Sequence, residues 1–470
     1  MYADRDVPLL FRFEGFTRYV PLALSAGFFA ASVLWALIGP IDWKIDSPVK
    51  VFGFVGLCLA ALVGGYVLAV RRSTRPPAAI SADGDPADAE PAALPASGLL
   101  LVASLAFLVL YLPVVHASTG RWYPDVITGL TDAGAAYERA KDAESLTSGL
   151  AFYLKILAGP LTILILPLTL FFWPRLTRAA KVAGATCLVL SVALTVSQGV
   201  NKGVADICAY VILFLVLLLV SSLRSRERRR AARSAVGIVL VAGLFLGYYV
   251  STMNSRVAED QSSEGRVKAK DVDDAMSLNA LQGVGDVREG HLLMTLTPTP
   301  LHGEALLLSS YLTHGYRGLA MAMDMRFEPT WGLGFSEFYR HNLVRVAGQA
   351  DREEEVKERT YAGKLTEAGW PDGMTWSTFF IHPASDLSFY GVVPLMGLIG
   401  FGFGLAWRDT LVRRDPLACG VAFHLCILVF YLPANNQLFQ GGELAIGFVV
   451  VTAAWLLLRT GRFRPRHRGA

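Results

Sequence analysis

Apolar runs of about 20 residues recur along this chain, separated by short polar connectors. At 1.5 Å per residue that length matches a helix crossing the hydrocarbon of a bilayer. The pattern predicts ten spans, at about 20–39, 49–70, 98–115, 150–173, 182–198, 204–222, 235–253, 385–406, 416–434 and 442–458. One stretch breaks the rhythm: between 254 and 384 the chain is polar and dense in His, Arg, Trp, Tyr and carboxylates. The expected fold is an all-α polytopic membrane protein of about 10 transmembrane helices, with a large helical loop region between spans seven and eight. Three blocks follow: an N-terminal transmembrane block 1–253, the loop region 254–384, and a C-terminal transmembrane block with a basic tail, 385–470.

Composition agrees with the pattern. The chain is 53% hydrophobic and 17% charged, against about 45–50% and about 25% for soluble domains. All five cysteines lie inside apolar runs, where Cys behaves as a small hydrophobe. The first run is long enough to stay in the membrane as a signal anchor. Residues 73–97, rich in Pro, Ala and Asp without periodicity, read as a disordered cytoplasmic linker.

The placement of Lys and Arg predicts sidedness. Alternate connectors, at 5–18, 71–75, 175–181, 224–233, 408–414 and 459–468, hold 23 basic residues. The other short connectors hold only Lys44, Lys50, Arg121, Arg139, Lys141 and Lys202. The positive-inside rule places the first set and both termini in the cytoplasm, so 254–384 faces outward. The apolar run Ala305–Met325 is expected to be a re-entrant or interfacial helix, because a lone extra span would invert every later connector. Its central His314 and Arg317 would also be costly against lipid. A second, missed span nearby is the alternative.

Soluble catalytic motifs are absent. There is no Walker-type phosphate loop, no HExxH zinc motif, no CxxC and no GxSxG elbow. No metal or other cofactor is expected. The acidic cluster Lys270-Asp-Val-Asp-Asp274 and the charged run Asp351–Arg359 read as solvated segments.

The outward face carries a more specific set. His314 and Arg317, three apart, are expected on one helix face. Arg340, His341 and Arg345 follow Trp331, and Trp370, Trp376, His382 and Asp386 follow in turn. Arg121 lies in an earlier outer loop, and Asn435, Asn436, Gln437 and Glu443 lie between the last two spans. Arg holds phosphate oxygens by paired hydrogen bonds. Aromatic faces stack on sugar rings, and amides and carboxylates match hydroxyls. The set therefore suits a sugar joined to a lipid by pyrophosphate. Arg317, Arg345, Arg340 and Arg121 are the pyrophosphate candidates. Trp331, Trp370, Trp376, Asn435, Asn436, Gln437 and Glu443 are the sugar-binding candidates. Asp386, His382 and His314 are the catalytic candidates, as the base for an acceptor hydroxyl. Ser385 and Asp386 also fit a helix amino-terminal cap.

The segments Tyr311-Leu-Thr-His-Gly-Tyr-Arg-Gly-Leu-Ala-Met-Ala-Met-Asp324 and Pro329-Thr-Trp-Gly-Leu-Gly-Phe-Ser336 resemble the outer-loop motif of bacterial oligosaccharide repeat-unit polymerases of the O-antigen polymerase (Wzy) type. Trp376-Ser-Thr378, Ala384-Ser-Asp-Leu-Ser-Phe-Tyr-Gly391 and Leu432-Pro-Ala-Asn-Asn-Gln437 resemble C-terminal segments of that family. The resemblance is clearest over about 305–440, and the N-terminal spans match only in pattern. It implies transfer of a growing glycan from undecaprenyl pyrophosphate to a new lipid-linked repeat unit, at the outer face of the bacterial plasma membrane. Outer-loop arginines would handle the pyrophosphate, Arg317 first. The implied partners are polyprenyl-pyrophosphate-linked oligosaccharide, membrane lipid, a chain-length regulator and a flippase, with no nucleic acid. His314 and Arg317 stand where relatives often have Gln and Tyr.

Other outer-face glycosyltransferases share parts of this pattern. An O-antigen ligase shares donor, arginines and a late outer loop. An enzyme using a polyprenyl monophosphate sugar usually carries an acidic pair in a long first outer loop. Here that loop, Ile41–Pro48, is short, and Asp42 and Asp46 are cramped. A lipid-oligosaccharide flippase would need polar residues along a crossing path, and Lys155, Asp206 and His424 are the main ones within the spans.

Overall fold

The computed structural model describes residues 15–72, 95–146, 150–263, 285–288, 290–370 and 375–460. Most of the expected linker, the acidic cluster 270–274 and residues 461–470 of the basic tail lie outside the described residues.

Helix α1 (Val20–Ile38) ends at Gly39 and leads through strand β1 (Ile41–Asp42) into α2 (Pro48–Arg72). Next come α3 (Ala96–Thr119), α4 (Val126–Thr131), α5 (Ala133–Leu146), α6 (Leu150–Thr162) and α7 (Ile165–Phe171). Then follow α8 (Arg178–Ser197), α9 (Lys202–Arg224) and α10 (Arg228–Ser263). Strand β2 (Asp286–Val287) pairs antiparallel with β1, Ile41 opposite Val287. The loop region holds α11 (Leu292–Leu296), α12 (His302–Thr313), α13 (Gly315–Asp324), α14 (Glu337–Val346), α15 (Glu353–Arg359) and α16 (Tyr361–Glu367). Helices α17 (Ile381–Val412), α18 (Pro416–Phe430) and α19 (Gly442–Arg459) complete the order.

The protein is a multi-pass, all-α membrane protein. Among the described residues nine helical stretches are long and apolar enough to cross a bilayer: α1, α2, α3, α6 with α7, α8, α9, α10, α17 and α19. The expected ninth span, 416–434, is the 15-residue α18 continued by the turn 431–434; it runs from the corner where α17 and α19 end back to the start of α17, where Leu432 meets Phe379. Fifteen residues rise about 22 Å, and the turn carries the chain across the rest of the roughly 30 Å of hydrocarbon. Its residues from Pro416 to Val429 are all buried, so neighbouring helices wall this span in. Asp415 starts it by accepting from the amides of Leu417 and Ala418, with Pro416 pre-set at its first position. The expected fourth span is interrupted after Thr162, past Pro160, and resumes as α7.

Glycine sets the closest helix contact. A Cβ on Gly65 of α2 would lie 2.0 Å from the Gly397 carbonyl, and one on Gly400 of α17 would lie 1.9 Å from the Leu62 carbonyl. The two backbones therefore touch, as small residues allow between membrane helices. Helix α17 is not continuous. Ser388 has φ 58° and ψ 167°, a region nearly reserved for glycine, so a short amino-terminal piece meets the long span at an angle.

Candidate functional site

The site is assembled on the segment after α18. The carbonyls of Leu432 and Ala434 accept from the amides of Phe379 (3.0 Å) and Thr378 (2.8 Å). Asn436 Nδ2 donates to the Phe335 carbonyl at 2.7 Å, and Ser336 Oγ donates to the Phe439 carbonyl at 2.6 Å. A Cβ on Gly315 would stand 2.3 Å from the Pro433 carbonyl, so only glycine lets α13 approach this closely. The segments 311–324, 329–336, 376–391 and 432–437 thus interlock in one place.

His314 sits between α12 and α13, which corrects the expectation of one unbroken helix over 305–325. Its Nδ1 lies 2.8 Å from the Ser310 carbonyl, and its Nε2 accepts the Trp376 amide at 2.8 Å. The ring is therefore neutral, with its proton on Nδ1, and burial pushes its pKa down to about 4. Both nitrogens are engaged inside the protein, so the ring does not share an open face with Arg317 and is a structural link in this arrangement. Trp376 packs on it at 5.3 Å and stands edge-on to Tyr311 at 4.6 Å.

Arg317 turns the other way. Its Nη1 donates to the Lys44 carbonyl at 2.6 Å, and its Nε–H is buried with no hydrogen-bond partner. It lines an open cleft with Asp46, Ser47, Lys50, Val51, Ala320, Met321 and Asp324. Lys50 is held by the Met323 carbonyl at 2.9 Å and by Asp324 at 2.7 Å. Lys50, Asp46 and Asp324 were not among the sequence candidates. For Asp46 and Lys50 the sequence signal is a short first outer loop opening onto a span, and Asp324 closes the motif 311–324.

Asp386 organises the Trp331 turn. Its Oδ1 accepts from Thr330 Oγ1 (2.6 Å), the Gly332 amide (2.7 Å) and the Gly334 amide (3.1 Å). Its Oδ2 is buried and accepts no hydrogen bond among the described residues. The turn presents Trp331 84% exposed, with a left-handed φ of 55°. Trp370, by contrast, is buried and donates from Nε1 to the Trp376 carbonyl at 3.1 Å. That corrects its expected role as a sugar platform: the ring is core. His382 is partly buried in the first turn of α17.

The other candidates divide by their partners. Arg340 is buried, its nearest carboxylate is Glu337 at 3.8 Å, and its Nε–H lacks a hydrogen-bond partner. Asn436 and Gln437 are also buried, and Asn436 Oδ1 and Gln437 Oε1 accept no hydrogen bond among the described residues. Gln437 Nε2 donates to Asn435 Oδ1. Glu443 is engaged by Thr162 Oγ1 at 2.8 Å and Lys155 at 3.2 Å, tying α6 to α19. Arg121 pairs with Asp125, which caps α4 and also meets Arg139 at 3.4 Å. The Thr128 hydroxyl and these arginines hold the Asp125 carboxyl below its ordinary range. Arg345 is exposed, 3.8 Å from Glu353, whose other oxygen meets His341 at 2.7 Å. The four arginines therefore do not share one partner: Arg340 and Arg345 sit on α14, one buried and one exposed, while Arg121 and Arg317 lie on other segments. Among the described residues no three His, Cys, Asp or Glu side chains converge as a metal site would require.

Compared with family models, curated proteins and solved structures, the chain finds no match.

Proposed function

We propose that the protein is an outer-face glycosyltransferase of the bacterial plasma membrane, a polysaccharide polymerase that extends lipid-linked oligosaccharide. The observation that supports this reading most is the interlock of the segments that resemble the repeat-unit polymerases. Residues more than 100 positions apart, Phe335 with Asn436 and Ser336 with Phe439, are joined directly. Beside them, Arg317 offers a donor into a cleft at the mouth of α2, where a polyprenyl pyrophosphate would lie with its tail along the span.

In this reading the bond from the donor sugar's anomeric carbon to the pyrophosphate oxygen breaks, and the electron pair leaves on the pyrophosphate. Arg317 and Lys50 stabilise that charge as it develops. The acceptor hydroxyl of the incoming repeat unit forms the new glycosidic bond. Its proton goes to His382 or to Asp386 Oδ2, since His314 is engaged on both sides. Trp331, held out by the Asp386 turn, stacks on a sugar of the acceptor.

The test is a reaction of purified protein with lipid-linked oligosaccharide from its own organism, without nucleotide sugar, sized on a gel. A ladder of lengthened lipid-linked glycans is expected. Arg317→Ala should lower its yield about 100-fold or more while inserting normally. A full-length ladder from stably inserted Arg317→Ala removes Arg317 from the reaction. A single transfer to another acceptor identifies a ligase instead.

A further inference from the structure

A second cluster lies where α17 and α19 end together, and it does not depend on the proposed reaction. Asp409 is fully buried there, 0% exposed, three residues before the end of α17. Its Oδ2 accepts from Arg459 Nε at 2.7 Å and Trp455 Nε1 at 3.3 Å. Its Oδ1 has no hydrogen bond: Arg413 Nε and Arg408 Nη1 stand off at 3.6 and 3.8 Å. The Arg408 side chain is 16% exposed, and its Nε–H is buried with no hydrogen-bond partner. Arg408 also feels the charges of Arg459 and Arg413.

Three guanidiniums thus share one carboxylate. The next carboxylate, Asp415, faces Arg413 but spends its Oδ1 on the amides of Leu417 and Ala418. Like charges gathered in a partly desolvated corner are unfavourable unless an anion joins them. The surroundings say which anion. Both helices are membrane-crossing and finish here, so the cluster lies at the level of the lipid headgroups. Val412, Leu456, Leu457 and Leu458 flank it and are exposed, an apolar wall beside the cations. A guanidinium pair next to an apolar wall matches a phosphodiester carrying acyl chains.

We propose that Arg408 and Arg413, positioned by the Arg459–Asp409 bond, hold the phosphodiester of an anionic phospholipid. The test uses the full-length protein in nanodiscs of phosphatidylcholine doped with phosphatidylglycerol, with retained lipid counted by native mass spectrometry. The expected result is about a tenfold preference for phosphatidylglycerol in the wild type. Arg408→Gln/Arg413→Gln should abolish the preference, with an unchanged melting temperature in pure phosphatidylcholine. Equal retention of both lipids by the wild type, or an undiminished preference in the double variant, overturns the proposal. So does displacement of the lipid by millimolar inorganic phosphate, which would assign the site to a soluble anion. If the double variant fails to assemble, phenylglyoxal labelling of wild-type Arg413, which is 44% exposed, decides. Slower labelling in phosphatidylglycerol discs than in phosphatidylcholine supports the site, and equal labelling refutes it.

Discussion

Two hydrogen bonds decide what His314 does. The Trp376 amide occupies Nε2, so protonating that nitrogen would break a link between α13 and the segment before α17. Burial pushes the folded pKa down to about 4, from an ordinary 6.5. An unfolded chain takes up the proton below about 6.5, and the folded protein refuses it until about 4. The stability carried by the neutral ring is therefore complete above pH 6.5 and is lost as pH falls toward 4. His314→Gln should narrow the gap between melting temperatures measured at pH 7 and pH 4.5. An unchanged gap would mean that other groups carry the acid sensitivity. None of this was legible in the sequence, where His314 and Arg317 looked like neighbours on one face. The same holds for the tryptophans. Trp331 and Trp370 are equivalent as letters, yet one is 84% exposed and the other 3%. Only the Asp386 turn and the Trp376 carbonyl separate them.

At the scale of helices, the apolar run lengths located the spans well, because a bilayer imposes its thickness on the chain. They could not show where backbones touch. Gly400 faces the Leu62 carbonyl with no room for a side chain, so Gly400→Leu must part α2 from α17. A loss of roughly 1–3 kcal/mol is expected, read as a lower unfolding midpoint in detergent. A midpoint equal to the wild type would show that the two helices can separate without cost. The break between α12 and α13 escaped notice for a related reason. The run over 305–325 is apolar on either side of His314, and the requirement at Gly315 comes from Pro433, more than 100 residues away. That α18 is the buried span was not legible, because a buried helix and a lipid-facing one share the same composition.

For the whole molecule, the alternation of basic connectors predicts one outer and one inner face. Single cysteines placed at Arg352 and at Arg226, in a background without the five native cysteines, should differ in intact cells. A membrane-impermeant maleimide should label position 352 and spare position 226 until the membrane is opened. Labelling in the opposite sense would place the Arg317 cleft in the cytoplasm and end the polymerase reading. Sequence conveyed the membrane class. It did not convey that Arg121, Arg340 and Arg345 meet carboxylates close by in the chain, Asp125, Glu337 and Glu353, while Arg317 reaches across to the Lys44 carbonyl.

The bonds from Leu432 and Ala434 to Phe379 and Thr378, and from Asn436 to Phe335, also impose an order in time. A spanning helix makes its own backbone hydrogen bonds as it enters the bilayer, whereas these bonds need two separate segments brought together first. A molecule can therefore be fully inserted, with its spans formed, and still lack the finished interlock of 376–391 with 432–437. Maturation would end with the capture of the segment 432–439. Pulse-labelled hydrogen exchange during refolding should show the amides of Thr378 and Phe379 protected after those of α2 and α17. Simultaneous protection would mean that the interlock and its membrane scaffold are born together.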